Sequence, residues 1–256
     1  MEYINFEKLQ KDKEQLKNDW NSKQPFRYMC YDNFFYGDKA ESILNMYPNV
    51  AEGTWDGTTY IHQKNKYQQT KFEQNSIFKS VFDELNSQQF LDFLSEVTSI
   101  EKLVGDEKLF GGGLHQSLTG AFLNVHVDYN YHPETKYHRR LNVLVYMNKD
   151  WKGEYEGHLQ LWDMSKKVML ENITPLFNRM AMFETNEISY HGHPVPLKTP
   201  NGISRKSLAT YYYTSERTSE EIVGDHNTLY VNTEGISGKL KSLNSGVKAF
   251  FERLFK

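Results

Sequence analysis

Two stretches carry side chains that could do chemistry together. The first, Phe122-Leu-Asn-Val-His126-Val-Asp128-Tyr-Asn130, reads as a strand, because Phe122, Val125 and Val127 favour extended backbone and nothing there favours a helix. Side chains at i and i+2 of a strand leave the same face. His126 and Asp128 therefore converge, offering one imidazole nitrogen and one carboxylate oxygen. The second stretch, Ser189-Tyr-His191-Gly-His193-Pro, supplies a further imidazole from His191 or His193. Two histidines and one carboxylate on one face of a metal leave three positions open, the ligand pattern of non-haem iron(II) oxygenases. A lone His-x-Asp fits a polar surface strand equally well, so the pair needs support from elsewhere in the chain.

That support comes from Arg205 and Ser207, two apart at the head of the run Leu208-Ala-Thr-Tyr-Tyr-Tyr213 and so on one strand face. Arginine presents a planar fork of donors matched to a carboxylate, and the serine adds a hydroxyl. A metal triad followed by such a pair suits an acid that also chelates iron. 2-Oxoglutarate is one: its keto acid end can take two metal positions, and its far carboxylate needs a cation.

The elements that position these residues show in the hydrophobic pattern. Ile4, Leu9, Leu16 and Trp20 among charged residues predict an amphipathic helix over 4–20. A strand at Phe26–Tyr31 and a helix from about Asp38 to Met46 follow. The polar, aromatic stretch Gly53–Asn75 reads as a long loop or short strands, and Ser80–Thr98 as one helix. After Gly111-Gly-Gly113 the texture becomes strand-like, with runs at Leu114–Leu118, Gly120–Asp128, Arg140–Met147, Gly157–Trp162, Met180–Thr185 and Leu208–Thr214 separated by turn residues. Such spacing suits an all-β sandwich or barrel. A helix is expected again from Ile236 to the end of the chain, packing its apolar stripe on the sheet.

Composition narrows the class. Thirty Lys and Arg against 33 Asp and Glu give a net charge of −3, which speaks against general nucleic-acid binding. The single cysteine, Cys30, excludes an internal disulfide framework and suits a reducing compartment. No apolar run approaches the roughly 18 residues of a membrane span, and the N-terminal residues lack the features of a signal peptide. A soluble, cytoplasmic protein is expected, with 17 Tyr and 16 Phe suited to a β-rich core.

The order His-x-Asp, a long gap, histidine, then Arg-x-Ser resembles the Fe(II)- and 2-oxoglutarate-dependent dioxygenases, specifically their prolyl-hydroxylase-like branch. Leu141-Asn-Val-Leu-Val-Tyr146-Met-Asn148-Lys-Asp-Trp151 is similar to the strand after His-x-Asp in oxygen-sensing prolyl hydroxylases. Glu154-Tyr-Glu-Gly157-His-Leu159-Gln-Leu161-Trp resembles the family's Gly-Gly-x-Leu-x-Leu strand, with Glu156 in place of one glycine. Pro175-Leu-Phe-Asn178-Arg179-Met-Ala-Met-Phe183 resembles the strand leading to the second histidine. The resemblance covers about residues 100–215.

It implies a mainly β protein with a double-stranded β-helix (jelly-roll) core and flanking helices. One domain is expected: helical support over about 1–110, the jelly roll over about 111–215 and a C-terminal helix over about 236–256. It implies iron(II) on His126, Asp128 and His191, the family's Ser-x-His pattern favouring His191 over His193. 2-Oxoglutarate falls to Arg205, aided by Tyr146, Ser207 and Gln116, the last ten residues ahead of His126. Dioxygen is the second co-substrate and ascorbate a stimulant. Asn124 would order the surroundings of His126, and Asp128 excludes the halogenase variant. The implied reaction hydroxylates an unactivated carbon of a prolyl residue or free proline-like amino acid, releasing succinate and CO2. Another amino acid or small metabolite, or a jelly roll that binds ligand or metal without catalysis, are the alternatives. The stretches 131–138 and 65–72 are placed at the rim of the pocket.

Overall fold

The computed structural model describes residues 1–50, 55–60 and 62–231, with residues 58–60 and 220 as backbone alone. The helix expected at about 236–256 lies outside the described residues. Four helices pack on one face of the sheet: α1 (Phe6–Ser22), α2 (Gly37–Asn45), α3 (Ile77–Leu85) and α4 (Gln88–Thr98). α1 buries Leu9, Leu16 and Trp20, as its pattern predicts, and its first turn is capped by the Asn5 side chain. The single helix predicted at 80–98 is in fact two. Ser87 interrupts it because its hydroxyl accepts the Phe90 N–H and starts a new helix, as Ser76 does for α3.

The strands are β1 (Tyr28–Asp32), β2 (Asp56–Tyr60), β3 (Gln63–Gln69), β4 (Gly113–Val127), β5 (His138–Tyr146), β6 (Leu159–Asp163), β7 (Val168–Ile173), β8 (Arg179–Glu184), β9 (Tyr190–His193), β10 (Arg205–Thr214) and β11 (Leu229–Tyr230). They run in the order β1-β8-β5-β10-β4-β9-β6-β7, all antiparallel, with the hairpin β2–β3 and the short β11 also laid against β4. The result is the nearly closed barrel of a jelly roll.

β4 joins its two walls. The first half pairs with β10 and the second with β9, so one strand passes from one wall to the other. The sequence predicts two strands there; the chain bends instead at Gly120, whose φ of 79° is costly for other residues. β7 and β9 escape sequence prediction: β7 is largely exposed, and β9 is only four residues long.

The strand period sorts the two faces. Leu141, Val143, Val145 and Met147 of β5 join Leu208 and Tyr212 of β10 against the helices. Leu144 and Tyr146 turn into the barrel, where Tyr146 packs with Leu159, Leu161, Ala181 and Phe183. The helical layer is fastened by few but buried polar contacts. Tyr47, just beyond α2, donates its hydroxyl to the carbonyls of His115 and Ser207. Asn178 accepts the Phe35 N–H at 2.8 Å and donates to the Phe35 carbonyl at 2.9 Å.

Asn178→Ala strands both buried backbone groups of Phe35. A loss of about 2–4 kcal/mol is expected, read as a lower urea midpoint at unchanged slope; a shift below about 0.5 kcal/mol would show that the clamp is dispensable.

Candidate active site

His126 ends β4, Asp128 lies just past it, and His191 sits on β9. His126 and His191 face each other across the β4–β9 ladder. Their rings approach to 4.3 Å between centroids. Each Nδ1 donates to a main-chain carbonyl, His126 to Asn124 at 2.8 Å and His191 to Ser189 at 2.9 Å. A carbonyl can only accept, so each ring carries a proton on Nδ1, and Nε2 is the nitrogen offered to a metal. Both Nε2 atoms lie 3.4 Å from an oxygen of Asp128, His126 from Oδ1 and His191 from Oδ2. One donor atom from each of the three residues lies within 4.8 Å of the others, and all three are buried. Two imidazoles and a carboxylate so arranged fit a first-row divalent metal. Of the two candidate histidines, His191 is the one in this group. His193 is buried on the same strand, with an Nδ1 that makes no hydrogen bond among the described residues.

A buried carboxylate needs a positive neighbour, and Asp128 has one that sequence reasoning did not single out. Arg139, 1% exposed, places Nη2 3.1 Å from Asp128 Oδ2. Its guanidinium lies between the rings of Tyr211 at 3.6 Å and Tyr129 at 4.4 Å, and its Nε donates to Asn142 Oδ1. Asn142 in turn donates to Asp128 Oδ2 at 2.6 Å. Burial pushes the Asp128 carboxyl upward, but Arg139, His191 and His126 outweigh it and hold the carboxyl well below the usual carboxylate range. Removing the guanidinium leaves that carboxylate buried without its cation.

Strict alternation along β5 would have pointed Arg140 inward instead. The register slips between Tyr212 and Tyr213, so Leu141 pairs with Tyr212 and Arg139 with Tyr213, and Arg140 is skipped. That bulge returns Arg139 to the inner face.

Arg205, at the head of β10, is also buried. Nε donates to the Gly157 carbonyl at 2.7 Å and Nη2 to the Tyr146 hydroxyl at 3.2 Å, and no described carboxylate lies within ion-pair distance. Gly157 has to be glycine: a Cβ there would meet Leu197 at 2.3 Å and Arg205 at 3.1 Å, and its φ is 71°. Ser207 pairs with Tyr146 and shares the inner face with Arg205.

Gln116 does not join this group. It pairs with Lys206, whereas Arg205 pairs with Ser117, so its side chain leaves the opposite face and donates to Ser204 Oγ. Asn124 contributes through its backbone carbonyl, while its side chain contacts His62. Within the stretch 131–138, the His132 ring lies 3.5 Å from Asp106 and accepts the N–H groups of Glu134 and Thr135, which fixes that loop.

The buried histidines make stability depend on pH. Burial pushes His191 down to about 3, against the pull of Asp128, and holds His115 and His193 well below the usual histidine range. Their folded values lie below their unfolded ones, so the stabilisation is full above pH 6.5 and is lost as pH falls from there toward the folded values. Each should contribute about 1.4 kcal/mol per pH unit in that window. Metal-free protein is therefore expected to show a urea midpoint that falls steeply from pH 7 to 5; a flat profile would contradict the neutral assignment.

Residues 112–213 match the family model of the 2OG-Fe(II) oxygenase superfamily. No curated protein sequence matches. Among solved structures, a Pseudomonas putida prolyl-4-hydroxylase aligns with a TM-score of 0.57 at 13% identity, over 78% of this chain and 98% of that one. A Trichoplax adhaerens prolyl hydroxylase, solved with a peptide of the hypoxia inducible factor degradation domain, gives 0.55 at 15% identity over 80% and 92%. HygX of Streptomyces hygroscopicus, with nickel, 2-oxoglutarate and hygromycin B bound, gives 0.50 at 13% identity over 81% and 94%. Among the described residues no helix is long and apolar enough to cross a membrane. Over residues 112–213, which hold the buried triad, the chain is similar to the 2OG-Fe(II) oxygenase superfamily, and its fold is that of the prolyl hydroxylases.

Proposed function

We propose that the protein hydroxylates an unactivated carbon, most simply in a prolyl residue or a free proline-like amino acid, with 2-oxoglutarate as co-substrate. In this reading His126, Asp128 and His191 hold iron(II). Arg205, Tyr146 and Ser207 receive the far carboxylate of 2-oxoglutarate. When bound, the iron supplies the dioxygen chemistry that couples conversion of 2-oxoglutarate to succinate and CO2 with hydroxylation.

The observation that carries the reading is Arg205. A guanidinium this deeply buried, whose hydrogen-bond partners among the described residues are a carbonyl and a phenol, is costly unless an anion joins it. Tyr146 and Gly157 fix its fork, so a carboxylate meets donors already in place. A structural metal site has no use for such a cation. The rest of the chain positions groups rather than transferring protons: Ser189 and Asn124 hold the two imidazoles, and Arg139 with Asn142 occupies Oδ2 of Asp128, leaving Oδ1 for the metal. Leu159, Leu161 and Phe183 surround Tyr146 with apolar surface suited to the methylenes of the co-substrate.

Succinate formation from 2-oxoglutarate with Fe(II) and ascorbate tests the reading. Wild type should show slow turnover even without the primary substrate, and His191→Ala should lose at least about two orders of magnitude. His193→Ala should retain Fe(II) binding. If His193→Ala abolishes metal binding while His191→Ala preserves it, the distal ligand is the other histidine. If wild type forms no succinate and binds no 2-oxoglutarate, the barrel is a non-catalytic binding module.

A further inference from the structure

β4 sets the order of the groups that line the chamber. His126 pairs with His191, Leu123 with His193, and Ser117, further back along the strand, with Arg205 of β10. His193 therefore stands between the triad and the guanidinium. Two residues on from His191, it leaves the same face of β9. Gly192 fixes that position. A Cβ there would meet the Leu123 and Asn124 carbonyl oxygens at 2.8 and 2.9 Å, so β9 lies hard against β4 and His193 is held to the inner wall. Of the charges that act on its ring, that of Arg205 is the strongest, ahead of Lys66 and His126.

The other histidines buried among the described residues each have a ring nitrogen engaged within the chain. His115 meets the Gly111 carbonyl, His126 that of Asn124 and His191 that of Ser189, while His132 accepts two backbone N–H groups. His193 differs. It is 5% exposed, and its Nδ1, closed off from solvent, makes no hydrogen bond among the described residues. A buried polar atom without a partner is costly, and an imidazole carries an N–H in either tautomer. A ligand that fills the chamber can remove that cost. In the proposed function, on which this inference rests, 2-oxoglutarate runs from the triad to Arg205 and so passes His193. Its far carboxylate has two oxygens and about four acceptor sites, more than one guanidinium fork takes up. We infer that His193 is a further binding residue for the co-substrate, its imidazole N–H donating to the same far carboxylate that Arg205 receives. The pair then selects a 2-oxo diacid over a 2-oxo monoacid of the same length.

The test titrates Mn(II)-loaded protein in a calorimeter with 2-oxoglutarate and with 2-oxopentanoate, the same chain without the far carboxylate. His193→Leu should weaken 2-oxoglutarate roughly tenfold and leave 2-oxopentanoate within about twofold of wild type. His193→Asn, which returns an N–H close to the position of Nδ1, should recover most of the loss. The inference is overturned if His193→Leu binds 2-oxoglutarate as tightly as wild type. It is equally overturned if both acids lose affinity alike, because that is the mark of altered packing. A second measurement does not depend on the leucine variant folding. In Zn(II)-loaded wild type carrying 15N-histidine, 2-oxoglutarate should shift the His193 side-chain resonance, assigned by its absence from His193→Asn, and 2-oxopentanoate should shift it less; a resonance that 2-oxoglutarate leaves in place overturns the inference. Failure of wild type to bind 2-oxoglutarate at all is a separate result: it overturns the co-substrate reading, and this inference falls with it.

Discussion

Burying Asp128 next to Arg139 sets the terms for the rest of the site. A carboxylate in the interior stays ionised only with a cation and donors at hand. Arg139 is therefore buried too, and it takes its own environment from Tyr129, Tyr211 and Asn142. The pair fixes one carboxylate oxygen and leaves the other toward His126. The imidazoles are held by hydrogen bonding too, each with Nδ1 bound to a carbonyl and Nε2 turned to the common point. The metal-binding geometry is thus prepared by burial and hydrogen bonding before a metal arrives.

The barrel makes this possible by bending one strand through both walls. β4 brings Ser117 beside Arg205 in one wall and His126 beside His191 in the other. Irregularities of register complete the arrangement. One in the β4–β9 ladder lies between Leu123 and His126, and one in the β5–β10 ladder skips Arg140. Bulges re-aim side chains that strict alternation would send elsewhere, and here they fall beside the triad on both sides.

This explains what could be read from sequence. The apolar periods gave most of the helices and the principal strands because those segments are amphipathic with one buried face. The helix break at Asn86-Ser87 was missed because apolar positions continue across it, while the Ser87 cap acts through a single hydroxyl. β7 and β9 were missed because an exposed edge strand and a four-residue strand carry little pattern. Of the candidate site, the buried group His126, Asp128 and His191 and the contact between Arg205 and Tyr146 involve residues legible as ordered motifs. Arg139 is hidden by the bulge. Gln116 stands apart from Arg205 because distance along the chain says nothing about which face a residue leaves; its register with Lys206 does.

Two buried arginines therefore stand in contrast. Arg139 has its carboxylate inside the protein, whereas Arg205 has none among the described residues. The most direct measurement is calorimetric titration of 2-oxoglutarate into Mn(II)-loaded wild type and Arg205→Met. One bound molecule per chain is expected, with affinity lowered roughly 10- to 100-fold in the variant, as for loss of a charge-assisted contact of about 1.5–3 kcal/mol. An unchanged dissociation constant in Arg205→Met, or no binding to wild type, would contradict it.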